Sequence, residues 1–166
     1  MKIIREGTFT IDYIEYGGDG ENHNYDGEQL TPEFIAEIKQ GIAEGKIQYV
    51  SAMSVEGAEG DAFCIEYDIG DQEREWMDIS ITFTDAEGIE HSFLYYNEKY
   101  AQENEEDEES IAFDQDIRWI SSLCNDFELA AKIFEKWILT GTLYSRPWRH
   151  QWADDNGDNY EIYGLE

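Results

Sequence analysis

Residues 62–83 read AFCIEYDIGDQEREWMDISITF, and the parity of this stretch decides the fold. An apolar residue recurs at every second position in each half: Phe63, Ile65, Tyr67 and Ile69, then Met77, Ile79, Ile81 and Phe83. Period-two patterning in β-branched and aromatic residues predicts two half-buried strands. The segment between them, GDQEREW, is polar, so the strands are expected to pair as an antiparallel hairpin. Opposed residues share a face. One register that respects this sets Ile69 opposite Met77 and Ile65 opposite Ile81. It also sets Asp68 opposite Asp78 on the outer face, with Glu66 beside them. Like charges across a strand pair destabilise by up to roughly 1 kcal/mol. Asp71, Glu73 and Glu75 add to this charge, and Trp76 alternates outward onto the same face. A rigid aromatic ringed by carboxylates suits a cationic partner. Glu66, Asp68, Asp71, Glu73, Glu75, Trp76 and Asp78 are therefore expected to contribute a partner-binding face.

On either side the strands continue. Residues 47–55 and 89–96 read as strands, with a turn at Asp85-Ala86-Glu87-Gly88, which makes a meander. Residues 8–16 begin with strand alternation, then Ile14 and Tyr16 shift phase, which predicts a bulge. The glycine-rich loop 17–28 carries Asp19, Glu21, Asp26 and Glu28, a second candidate contact surface. No Lys or Arg occurs from Glu6 to Ile38 inclusive, while nine acids do. Thr31 is placed to cap a helix with Pro32 at its first position, an apolar stripe at Phe34, Ile35, Ile38 and Ile42, and Gly45 as its stop. Residues 97–110 are an acidic run, expected to be a solvated loop, and Glu103 to Glu109 form the third candidate surface. Residues 113–123 are expected to be a short helix. A clearer helix spans about 126–140, capped by Asn125 with Glu128 three positions on. A terminal hairpin over 148–163 turns at Asn156-Gly157. The expected fold is one α+β domain over 1–166. Its mainly antiparallel sheet of about five to seven strands carries two to three helices on one face.

Composition constrains the function. The chain has 39 Asp and Glu against 11 Lys and Arg, a formal charge of −28 on 166 residues. Apolar residues still make up 41% and aromatics 14%, enough for a packed core, and disorder is excluded. Direct binding to duplex nucleic acid is excluded on charge, because phosphates demand Lys and Arg. No signal peptide or membrane span is legible, and Cys64 and Cys124 stand alone as expected for free thiols, so a cytoplasmic protein is expected.

Acid pairs are uninformative in this background, and no group is arranged to bind a transition state. The nucleophile-elbow, zinc-protease and phosphate-loop motifs are missing. His23, His91 and His150 lie apart in sequence and read as structural or surface residues. Asp154 to Asp158 fails the spacing of a calcium loop and reads as a turn. Arg146, Arg149 and His150 cluster around Pro147, Trp148 and Trp152; the arginines read as neutralising neighbouring acids and stacking on the tryptophans, with a small anion or nucleobase site as the alternative. No enzyme activity, metal or cofactor is expected.

A compact, aromatic-rich, strongly acidic α+β chain of this character resembles the immunity proteins of bacterial toxin systems. That resemblance implies a basic protein partner, often a nuclease toxin whose active site is covered, and a monomer or weak dimer. A nucleic-acid mimic of the anti-restriction or anti-CRISPR type shares the electrostatics. A small acidic hydrolase and a halophilic surface are the further alternatives.

Overall fold

The computed structural model describes residues 9–15, 23–25, 31–54, 64–68, 75–102, 109–113, 116–140 and 142–164. Among these, the meander forms as its parity demands. Strands β3 (Ile47–Ser54), β4 (Cys64–Asp68), β5 (Met77–Thr84) and β6 (Glu90–Tyr95) are sequential antiparallel neighbours. On β5 the burial alternates strictly: Met77, Ile79, Ile81 and Phe83 are buried, and the residues between them are half-buried. β1 (Phe9–Glu15) and β2 (His23–Tyr25) extend the sheet beyond β3. β10 (Trp148–Asp154) and β11 (Gly157–Tyr163) extend it beyond β6. The order is β11-β10-β6-β5-β4-β3-β1-β2. A ninth strand, β9 (Leu123–Cys124), pairs with Met77 and Asp78 at the start of β5. A separate ribbon joins β7 (Ser110–Phe113) to β8 (Asp116–Trp119). The expected phase shift in the first strand is a register irregularity between Ile14 and Glu15.

Helix α1 (Pro32–Ala43) starts where Thr31 accepts the Phe34 N–H at 3.2 Å. It ends at Gly45, whose φ of 68° is strained for any residue with a Cβ. The Gly45 and Lys46 N–H groups bond back to the Ile42 and Gly41 carbonyls. Helix α2 (Phe127–Thr140) presents Ala130, Ala131, Ile133, Phe134, Trp137 and Ile138. These pack with Ile38 and Ile42 of α1 and the inward residues of β3, β5 and β6 in one core. Both helices therefore cover the same face of a mainly antiparallel sheet, an α+β fold. Among the described residues the short strands β2 and β9 bring the main sheet to nine, while β7 and β8 form the separate ribbon.

Three expectations need correction. Residues 113–123 are not a helix. Asp116–Trp119 are extended and pair with β7, a 3-10 turn covers Ile120–Ser122, and β9 follows. Pairing with β7 holds these residues extended, and Ile117 and Trp119 alternate with Arg118 along the ribbon. The cap of α2 is Asp126, which accepts the Leu129 N–H at 3.0 Å. Asn125 instead reaches the Tyr100 hydroxyl. In the terminal hairpin Asp154 pairs with Gly157, so Asp155-Asn156 are the central residues. Gly157, at φ 111°, follows the turn in a backbone conformation that favours glycine. Ile69, outside the described residues, leaves the Ile69–Met77 pairing outside the description as well.

Candidate partner-binding surface

The β4–β5 register pairs Ile65 with Ile81, Glu66 with Ser80 and Asp68 with Asp78. The expected opposition of two aspartates is thus present in the backbone. β3 continues the same rows, with Tyr49 opposite Asp68 and Ser51 opposite Glu66. Asp12 of β1 stands opposite Ser51. Asp12, Glu66, Asp68 and Asp78 therefore occupy neighbouring rows of adjacent strands.

One cation enters this surface. Arg118 of β8 donates from Nε to Asp78 Oδ2 at 2.9 Å, with both side chains largely shielded from solvent. The arginine neutralises Asp78 and fastens the β7–β8 ribbon to the sheet. Trp76 is half-buried, and Tyr100 meets its ring edge-on at 5.4 Å. With Glu75, Asn125 and Phe127, Trp76 lines an open cleft of about 330 Å³. The structure thus brings together Glu66, Asp68, Glu75, Trp76 and Asp78 along β4, β5 and the residues just before β5. Asp71, Glu73, Asp19, Glu21, Asp26 and Glu28 lie outside the described residues, as does the run 103–108.

A second constellation lies on the inner face of the same sheet. Cross-strand pairing sets Phe93 opposite His150 and His91 opposite Trp152. The two histidines, 8% and 3% exposed, meet at 2.8 Å between His91 Nδ1 and His150 Nε2. His91 Nε2 contacts Asp85 Oδ2 at 2.8 Å, and His150 Nδ1 contacts Glu161 Oε1 at 3.0 Å. The result is a continuous chain, carboxylate–imidazole–imidazole–carboxylate. Three N–H protons on the four ring nitrogens satisfy all three contacts: one to each carboxylate and one between the rings. A fourth proton would set two N–H groups against each other and break the bridge.

Two groups of the chain titrate away from their ordinary values. The His91 ring N–H holds the Asp85 carboxyl below its usual range, aided by backbone N–H groups from Ile89 and Glu87. Burial, chiefly, pushes His150 below the ordinary histidine value, and His91 acts the same way against the opposing pull of Glu161. Phe93 stacks on His150 at 4.4 Å and Trp152 at 4.5 Å, so the pair sits in an aromatic column. Linear sequence gave no sign of this contact, since the two rings are 59 residues apart. Only the β6–β10 register brings them together.

Several other described cations are held by neighbouring groups. The Arg146 guanidinium lies 3.6 Å from the centre of the Tyr95 ring and donates to the Tyr96 carbonyl at 2.6 Å. Arg149 lies 5.9 Å from the Tyr96 ring. Lys39 pairs with Glu135 at 2.8 Å and Lys46 with Glu44 at 2.5 Å. Cys124 is a buried free thiol whose pKa burial pushes up. Burial also pushes the adjacent Tyr95 hydroxyl up to about 12. No helix among the described residues is long and apolar enough to cross a membrane. No protein-family model, curated protein or solved structure matches this chain.

Proposed function

We propose that this protein is an acidic inhibitor that binds and neutralises a basic protein, acting as an immunity protein acts on a nuclease-type toxin. The observation that carries the reading is an excess of 28 negative charges on a folded α+β domain with a packed core. Arg118, Arg146, Lys39 and Lys46 are engaged with Asp78, Tyr95, Glu135 and Glu44. Glu33, Glu37, Glu75, Glu87, Glu90, Glu98, Glu109, Asp154, Asp155 and Asp158 remain exposed. A nuclease gathers Lys and Arg to hold phosphates, and a polyanionic surface competes for those groups. Long-range attraction also speeds capture, with association reaching ~10⁸–10⁹ M⁻¹s⁻¹ at low salt.

The test is coexpression. Cells expressing the basic protein encoded beside this gene are scored for survival with and without the chain, and nucleic-acid degradation is followed in extracts. Rescue, with binding that weakens steeply as salt rises, is the expected result. An absence of rescue together with no salt-dependent binding ends the proposal. Inhibition confined to an enzyme that acts on duplex DNA would replace it with nucleic-acid mimicry.

A further inference from the structure

The β7–β8 ribbon has two unlike faces. Its register pairs Ser110 with Trp119, Ile111 with Arg118, Ala112 with Ile117 and Phe113 with Asp116. Phe113 is buried, Ile111 is half-buried, and Arg118 makes the ion pair with Asp78, so this face is turned to the body of the protein. The opposite face carries Ser110 and Ala112, both exposed, with Ile117 at 64% and Trp119 at 41% exposure. A two-stranded ribbon is marginally stable alone. This one is fixed at its base. The Ile120 N–H bonds to the Glu109 carbonyl at 3.0 Å, and Asn97 joins its N–H to Ser121 at 2.7 Å and its amide to Leu123 at 3.0 Å. The Ser122 hydroxyl donates to the Trp119 carbonyl at 2.7 Å.

Single exposed apolar residues are ordinary, but a neighbouring Ile and Trp on the outer face of a pinned ribbon form a pre-organised anchor. The rim of this patch is anionic. Glu109 is exposed at its base. An apolar centre with a charged rim is the anatomy of a protein interface. The charge chooses the occupant: a second copy brings another −28, whereas a cationic surface is attracted.

We propose that the Ile117–Trp119 face of the β7–β8 ribbon is the apolar anchor of the partner interface, and that it fits a cationic protein surface bearing an apolar cleft. The inference rests on the inhibitor reading above and moves the anchoring tryptophan from Trp76, which Tyr100 flanks, to Trp119.

The probes are the catalytically inactivated basic protein from the coexpression assay and poly-L-lysine. Wild type, Ile117→Ser/Trp119→Ser and Ile117→Lys are compared by surface binding kinetics and by sedimentation. The double variant is expected to lose about 30-fold in affinity for the basic protein, mainly through faster dissociation. Its binding to poly-L-lysine stays unchanged, because that ligand reads charge alone. Ile117→Lys, at the most exposed position of the face, guards against a folding defect in the double variant and also weakens the complex. Unchanged affinity in both variants overturns this surface while the inhibitor reading stands. A wild-type dimer that the variants dissociate assigns the face to a second copy and overturns it too. No binding of the basic protein by wild type, with no rescue, removes both proposals.

Discussion

His91 and His150 show what a single proton can do inside this sheet. Their bridge works with one proton between the rings and fails when a second arrives. Because His150 titrates below its unfolded value, the unfolded chain takes up the extra proton first, so stability present near neutrality is lost as pH falls below about 6.5. Asp85, also depressed, adds a further loss at lower pH, as its carboxylate protonates. The thermal midpoint is expected to drop between pH 7 and pH 5, as calorimetry can follow. His150→Phe keeps the stack on Phe93 but strands His91 Nδ1, at a cost of about 1–3 kcal/mol in urea melts. Replacing both histidines with Phe should flatten the slope between pH 7 and pH 5, and an unflattened slope would assign that pH dependence elsewhere. Nothing in the linear sequence exposes this pair, because each histidine carries its meaning only through a cross-strand neighbour.

At the scale of elements, the patterns that were legible are those with a strict period or a chemical stop. β5 alternates without exception, and its pairing with β4 follows from matching apolar faces, down to the Asp68–Asp78 opposition. α1 is written by Thr31, Pro32 and Gly45. Gly45→Ala should cost about 1–2 kcal/mol by denaturant melt, since φ is positive and a Cβ there would come 3.2 Å from the Phe127 ring. Asp126→Ala should remove about 1 kcal/mol, and Asn125→Ala much less, which separates the true cap from its neighbour. The ribbon strand β8 was obscured because Asp116–Trp119 is only 4 residues long, too short for alternation to prevail over a helical reading. Its anchor is testable as well. Arg118→Ala removes the ion pair on Asp78 and should cost about 1 kcal/mol. Adding Asp78→Asn should restore part of that loss. A double variant no more stable than Arg118→Ala would show that the Asp78 charge is no burden once its partner is gone.

For the molecule as a whole, charge is a cost that folding must overcome. Raising ionic strength from 0.01 M to 1 M shortens the screening length from about 30 Å to about 3 Å. The urea midpoint should therefore rise with sodium chloride, while affinity for a basic partner falls over the same range. A flat midpoint would show that the −28 charges do not burden the folded state. The sheet order carries one more consequence. β6 lies between β5 and β10, and β10 is made some 59 residues after it. At roughly 5–20 residues per second of synthesis, the flank of β6 that will receive β10 waits about 3–12 s on the ribosome for its mate. During that interval the imidazole of His91 has no second ring to meet, and the nascent chain shows Phe93 at an open edge where a chaperone could shelter it.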